Sequence, residues 1–352
     1  MKSKGIIRGT MKTTLSIILP VYNGELFLER TINSILEQDV DDWELIIVND
    51  GSTDKSGEIM EKYMARDSRI KGVSQTNRGL GAARNVGYHE STGEYVVFVD
   101  ADDYLEPNYY RQLIFAAKKY KSDFVVSSYI RDFVQPNGHS HSETIHFKEQ
   151  LLDMTQLKEE CSNWKYTYNI YIHVWNKIYK RDYLEQHGIL FDESIRYAED
   201  IPFNIKNLEK ANTVLFLDIP GYHYECHQAE RLTGSWKENL IADNCNVYNQ
   251  IIDFERNFLG INNSVIASGM YLRSCFLSME KAFQSNMGMK EVRVNARKMF
   301  KCPETKKSIQ ALAGKYLPVE FFIYRIFMKP RNTKLFLCAV RVRKRLKVIL
   351  KR

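Results

Sequence analysis

Two hydrophobic periods alternate along the first 130 or so residues. Short runs rich in β-branched and aromatic residues stand at Leu15–Leu19, Glu44–Val48, Ile70–Ser74, Tyr95–Val99 and Phe124–Ser128. Between them, Glu25–Glu37, Ser56–Ala65, Leu80–His89 and Asn108–Lys119 read as amphipathic helices. Near-continuous apolar runs such as Tyr95–Val99 suit strands covered on both faces. This alternation predicts parallel β-α-β units with right-handed crossovers. From Asp132 to Glu160 the chain reads as loop, with a turn at Gln135-Pro136-Asn137-Gly138. Strand character returns at Trp175–Tyr179, and a helix is expected from Glu199-Asp200 to Glu209. Beyond Trp236 the pattern is largely helical, and no internal repeat or low-complexity linker interrupts it.

Ligands in sheets of this kind bind beyond the carboxyl ends of the strands. Four of those ends are polar here: Pro20-Val21-Tyr22-Asn23-Gly24, Asn49-Asp50-Gly51-Ser52-Thr53-Asp54, the stretch Asn77–Asn85, and Asp100-Ala101-Asp102-Asp103. Turns and helix caps account for one or two such loops. Four at one sheet edge point to a binding site.

Composition narrows the class. A 352-residue chain, 44% hydrophobic and 26% charged, buries roughly 75% of its unfolded surface, and the mixture excludes disordered, collagen-like and coiled-coil proteins. The six cysteines are scattered with no C-x-x-C pair, which argues for reduced thiols in a cytosol and against a disulfide framework or structural zinc. The net charge of +7 divides unevenly: Phe321–Arg352 carries eleven Lys or Arg and no acid, whereas the rest holds 39 basic and 43 acidic residues. Nucleic-acid binding would spread cations along a groove, so no nucleic-acid partner is expected. The tail mixes cations with aromatic and aliphatic residues, the character of an interfacial helix, and each cation contributes about 1 kcal/mol near an anionic leaflet. Peripheral attachment to the anionic, cytoplasmic face of a membrane is therefore expected. No stretch of about 18 uninterrupted apolar residues offers a membrane span, and Met1–Thr10 lacks the apolar run of a signal peptide.

Several side chains suit specific chemistry. Asp100 and Asp102, two apart after a strand, can face one hard cation such as Mg²⁺ or Mn²⁺; Asp103 is equally suited to capping the following helix. Asp50 can accept a hydrogen bond from a nucleotide base or ribose, and Asp54 is placed to cap the next helix. Arg84 follows a turn containing Gly79 and Gly81, where a guanidinium can pair with phosphate oxygens.

In order and spacing these residues resemble family-2 glycosyltransferases of the GT-A fold. Ser16-Ile17-Ile18-Leu19-Pro20-Val21-Tyr22-Asn23, Ile47–Asp54, Asn77–Asn85 and the acidic triplet carry the resemblance, which extends over roughly residues 13–230. It implies a Rossmann-like mixed sheet with helices on both faces over residues 13–230, after an extension at 1–12 and before a helical region at 231–352 that ends in the basic tail. It also implies that Pro20, Val21, Tyr22, Asn23 and Asp50 line a uridine pocket, with Arg84 near the base or diphosphate. Asp100 and Ala101 would meet the ribose or sugar, and Asp102 would hold the Mn²⁺ or Mg²⁺. The family's Val-Asp-Asp reads Val48-Asn49-Asp50 here, with the second acid kept. Tyr197-Ala198-Glu199-Asp200-Ile201-Pro202-Phe203 is similar to the family's Glu-Asp motif, which implies Asp200 as general base. Asn176, Lys177 and Glu199 are further acceptor- or donor-side candidates, and Tyr222, His223 and Ser235 loosely match a later family stretch.

The activity implied is inverting transfer of a sugar from a nucleotide-sugar donor, UDP-linked, to a hydroxyl of a polysaccharide or lipid-linked oligosaccharide. Two rivals remain at this point. A sugar-nucleotide nucleotidyltransferase would carry a Gly-rich basic loop after the first strand, where this chain has Pro20-Val21-Tyr22-Asn23-Gly24-Glu25. A donor-binding assembly protein without turnover would not need Asp102 or Asp200. The i, i+4 pair His223 and His227 invites a metal reading, but neither a helix nor further ligands are read around it, so zinc is not expected there.

Overall fold

The computed structural model describes residues 13–134, 140–161, 170–227, 240–262, 265–284, 287–313, 336–338 and 340. Chain contacts divide it into two compact units. The first comprises residues up to 157 with 173–193 and 210–226, and the second 158–172, 194–209 and the chain from 227.

In the first unit, strands β1 (Leu15–Val21), β2 (Trp43–Asp50), β3 (Ile70–Gln75) and β4 (Tyr95–Phe98) are parallel, as the alternation predicts. Helices α1 (Leu28–Leu36), α2 (Ser56–Met64) and α3 (Leu80–Glu90) connect them, and β5 (Tyr104–Leu105), α4 (Tyr109–Tyr120) and β6 (Phe124–Ser127) follow. Strands β1 and β4 are buried along their whole length, which is why they read as apolar runs rather than alternations. Helix α3 lies close on this sheet because its inner face is small: Gly81, Ala82, Ala83 and Gly87 are buried. A β-carbon at Gly87 would stand 2.5 Å from Ile18 Cγ2.

Parallel alternation stops after β4. The eight-stranded sheet has the order β3-β2-β1-β4-β10-β6-β11-β9, with β9 at Gln150–Asp153, β10 at Lys177–Lys180 and β11 at Thr213–Leu217. Strand β10 is antiparallel to both β4 and β6, so the expected β4–β6 neighbourhood is replaced by an inserted reverse strand. A smaller sheet has the order β5-β12-β7-β8, with β7 at Tyr129–Val134, β8 at Ser140–Ile145 and β12 at Tyr222–His227.

The reading of Asp132–Glu160 as loop is corrected here. It holds the end of β7, then β8, β9 and the start of α5 (Met154–Cys161). Strands β8 and β9 are edge strands; β8 is largely polar and β9 has only two apolar residues, so neither shows the apolar run that marks a central strand. The turn at 135–138 lies outside the described residues, although β7 and β8 pair antiparallel on either side of it. After β10 come α6 (Arg181–His187) and α7 (Asp200–Lys210), the latter where a helix was expected.

The second unit is helical, in line with the pattern beyond Trp236. Helix α8 spans Leu240–Asn257, α9 Val265–Gln284, α10 Met289–Lys301 and α11 Pro303–Ala311. Met270, Tyr271, Leu272, Cys275, Phe276 and Met279 of α9 are buried, and Phe336 meets Phe276 and Phe300 edge-on. The six cysteines are unbridged. Cys245, Cys302 and Glu304 nevertheless bring ligand atoms within 4.8 Å of one another, so thiols scattered in sequence meet in space. Among the described residues no helix is long and apolar enough to cross a membrane.

Candidate functional site

The carboxyl ends of β1, β2 and β3 lie level, Val21 pairing with Asn49 and Asp50 with Gln75, while β4 stops at Phe98 opposite Ile18, three residues short of the end of β1, and runs on into the acid loop. The loops that leave them are laced together. Asn23 adopts a left-handed φ of 51°, its N–H donates to Ser52 Oγ (3.0 Å), and its Oδ1 accepts from the Thr53 N–H (2.8 Å). The Gly24 N–H donates to Ser56 Oγ (2.9 Å), and the Glu25 N–H to Asp54 (3.0 Å). Asp54, expected as the cap of α2, stands one position before the observed N-cap Lys55 and accepts from the Ser56 N–H (3.0 Å). Burial pushes its carboxyl up, but these bonds from Ser56 and Glu25 outweigh it and hold the group low. Pro20 and Val21 are buried within β1, while Tyr22 is partly exposed beside them.

Asp50 is buried and accepts three hydrogen bonds, from Gln75 Nε2 (2.7 Å), the Arg78 N–H (2.8 Å) and the Gly79 N–H (2.9 Å). It therefore shapes the Asn77–Gly79 turn as well as ending β2. Gly79 has φ 91° and starts α3, a conformation that a β-carbon disfavours. In the next turn of α3, Arg84 is 1% exposed, donates to Asp100 Oδ1 (2.9 Å) and lies over the Phe191 ring (5.2 Å). Asn85 bonds the Phe191 backbone in both directions, fixing that ring under the guanidinium.

The acid loop Asp100–Asp103 is held from below by β12. Tyr222 Oη accepts from the Asp100 N–H (3.1 Å) and donates to Asp103 Oδ2 (2.8 Å), and the Glu225 N–H donates to Asp103 Oδ1 (3.0 Å). Asp103 thus anchors the loop rather than capping α4. Burial first, and then the charges of Asp102 and Asp100, push its carboxyl well above the usual range against the pull of the Glu225 and Tyr222 donors. Three carboxylates within four residues concentrate negative charge here. Asp103 is turned inward and Asp100 is paired with Arg84, whereas Ala101 and Asp102 are partly exposed. An all-oxygen set of this kind fits a hard divalent cation.

The other candidates are placed differently. Asn176 and Lys177 are buried at the start of β10: Asn176 Nδ2 donates to the Ser127 carbonyl (2.9 Å), and Lys177 Nζ donates to Asn176 Oδ1 (3.0 Å) and to the His173 carbonyl. Glu199 and Asp200 belong to the second unit, where Asp200 opens α7. Just before them Ala198 has a left-handed φ of 59°, and local strain of this kind clusters at functional sites. His223 lies in β12, where residues four apart stand about 13 Å from each other along the strand, so it shares no metal with His227. Its ring instead bridges Asp132 (2.7 Å) and Glu106 (2.9 Å) and stacks on Tyr104 (4.2 Å). Ser235 and nearly all of the basic tail lie outside the described residues.

Residues that pattern reading passed over also converge on the acid loop. Arg30 and Thr31 of α1 contact it directly. Their signal was faint: Thr31, Ser34 and Gln38 are polar residues at helical spacing on a face that is otherwise apolar, and all three are buried.

A mixed sheet whose first four strands are parallel, with an Asp-x-Asp loop after the fourth, is the architecture of the GT-A class of folds. Residues 16–188 match the profile of glycosyl transferase family 2, and the chain belongs to that family. It is 30% identical over 217 residues to glycosyltransferase GlyG of Streptococcus pneumoniae, covering 61% of this chain and 71% of GlyG. It is 38% identical over 216 residues to EpsJ of Bacillus subtilis, described as an uncharacterized glycosyltransferase, but spans only 60% of that relative's length. The crystal structure of S. aureus TarS 1–349 in complex with UDP-GlcNAc shares the fold, with a TM-score of 0.63 at 21% identity over 95% of this chain and 92% of that one.

Proposed function

We propose that the protein transfers a sugar from a UDP-linked donor to a hydroxyl of a polysaccharide or lipid-linked oligosaccharide, with inversion at the anomeric carbon. The observation that carries this reading is the meeting, at one sheet edge, of the three-donor cage around Asp50, the pair of buried Arg84 with partly exposed Asp100, and the partly exposed Asp102. The UDP-GlcNAc complex of TarS supports a uridine donor, and the name of full-length TarS, a poly(ribitol-phosphate) β-N-acetylglucosaminyltransferase, supports a polymeric acceptor.

On this reading the Pro20–Asn23 segment and Asp50 take the base, Arg84 offsets charge on the diphosphate, and Asp100 and Ala101 meet the ribose or sugar. Asp102, with Asp100 beside it, would hold Mn²⁺ or Mg²⁺, which when bound stabilises the charge of the departing nucleotide. Asp200 takes the proton of the attacking hydroxyl, help worth about 10²–10⁴-fold. Direct displacement without a covalent intermediate inverts the product. Asn176, Lys177 and Glu199 belong to the acceptor or donor side. The catalytic domain covers residues 13–230, the helical region follows from 231, and the tail from Phe321 docks on the anionic cytoplasmic leaflet, where a lipid-linked acceptor is delivered.

The test is nucleotide release from a panel of UDP-, GDP- and dTDP-sugars with Mn²⁺ or Mg²⁺, with and without anionic liposomes. Wild type, Asp102→Ala and Asp200→Asn are compared. Metal-dependent release from a UDP-sugar, lost in Asp102→Ala, is expected; Asp200→Asn should bind donor but not transfer. Absence of donor binding by calorimetry would overturn the proposal.

A further inference from the structure

Helix α1 does more for the acid loop than its apolar face requires. Thr31 Oγ1 lies 2.9 Å from the Ala101 carbonyl and 2.6 Å from the Asp103 carbonyl. One turn on, Ser34 Oγ accepts from the Leu105 N–H (3.2 Å). Past the helix end, Gln38 donates to the Glu106 carbonyl (2.8 Å) and accepts from the Tyr110 N–H (3.1 Å). Side chains of α1 and Gln38 thus act as a template for the backbone from residue 101 to 110.

Arg30 completes the template. Its Nη2 donates to the Asp102 carbonyl (2.9 Å), its Nη1 pairs with the buried Glu225 (2.5 Å), and the guanidinium lies over the Tyr104 ring at 4.7 Å. The carbonyls of residues 101 and 102 belong to the two peptide planes that flank the Asp102 α-carbon. With Thr31 on one and Arg30 on the other, the backbone torsions of Asp102 are set, and with them the direction in which its carboxylate leaves the chain. A planar guanidinium can hold a carbonyl and a carboxylate at once, which an ammonium does less well.

We propose that Arg30 is the positioning residue for the cation-holding carboxylate of Asp102, an inference that rests on the reading of Asp102 as the cation ligand. Charge and geometry make opposite predictions for its removal. Arg30→Gln deletes a positive charge beside an acidic loop, so charge alone predicts tighter cation binding. Loss of backbone support predicts weaker binding.

The experiment counts bound Mn²⁺ by electron paramagnetic resonance with UDP present, for wild type, Arg30→Gln, Arg30→Lys, the Arg30→Gln/Glu225→Gln pair and Asp102→Asn. Positioning predicts that Arg30→Gln weakens Mn²⁺ binding roughly 10- to 100-fold, the range typical of groups that orient a metal ligand. It also predicts that the charge-balanced double variant is weakened too, with Arg30→Lys intermediate. Should Arg30→Gln fail to fold, the lysine variant carries the comparison. Binding that is tighter or unchanged in Arg30→Gln, with wild-type affinity in the double variant, overturns the inference alone. Absence of saturable Mn²⁺ binding in wild type, with Asp102→Asn indistinguishable from it, overturns the cation reading and the role of Arg30 together.

Discussion

Replacing Tyr222 by Phe removes a single oxygen from beneath the acid loop. That hydroxyl is fully buried, accepts from the Asp100 N–H at 3.1 Å and donates to the Asp103 carboxylate at 2.8 Å. The ring itself should stay, because it is stacked on Trp175 with centroids 4.4 Å apart. A hydrogen bond to a charged acceptor is worth about 1.5–3 kcal/mol and a neutral one about 0.5–1.5, so the variant should lose about 2–4 kcal/mol. The loss should also depend on pH. Asp103 is already raised by burial and by Asp102 and Asp100, and removing one of its two donors raises it further. A carboxyl raised on folding contributes stability that is complete below its unfolded value and is lost as pH rises through the folded one. The Tyr222→Phe penalty should therefore be larger near about pH 8 than near about pH 5. Chemical denaturation at both pH values checks this, with a lowered midpoint and unchanged slope expected. A loss under about 0.5 kcal/mol, or a penalty that shrinks as pH rises, would refute the reasoning.

Two further outcomes are expected. Arg84→Lys keeps the charge but not the planar group that pairs with Asp100 and lies over Phe191; it should raise the donor KM in nucleotide-release kinetics and cost about 1–3 kcal/mol in denaturation. Glu44 stands at the opposite end of β2; burial pushes its carboxyl up, but bonds from Lys71, Ser16 and Thr92 outweigh it and hold the group below its ordinary value. A lowered carboxyl adds stability that is present above its unfolded value and lost as pH falls through the folded one. Glu44→Gln should therefore lower stability near neutrality and flatten its fall below about pH 4.5, as read from denaturation midpoints across that range.

The parallel half of the fold and its polar rim were legible because both rest on local signals. Tyr95–Val99 is apolar since it is covered on both faces, and Asp50 and Asp100 stand where such strands end. What was illegible depends on partners distant in sequence. Strand β10 is four residues long and owes its direction to β4 and β6, not to its own pattern. Asp103 stayed open between a helix cap and the acid cluster because the groups that claim it, Tyr222 and Glu225, lie about 120 residues later. Asn176 and Lys177 were picked out through the family resemblance as acceptor- or donor-side candidates; burial binds both to backbone, which no spacing rule conveys.

The inserted strand has a consequence for how the protein is made. Tyr95–Phe98 is complete before residue 100, yet one of its two edges has no neighbour until Lys177–Lys180 has been synthesised, and β6 and β9 in turn wait for β11 at Thr213–Leu217. A nascent chain leaving the ribosome therefore carries an open, wholly apolar strand edge through roughly 80 residues of elongation, a period in which such edges invite wrong pairing. Sheet closure is a late, long-range event, and long-range strand pairing is slow. Yield in a heterologous host should follow chaperone supply and translation speed more closely than it follows the stability of the finished molecule.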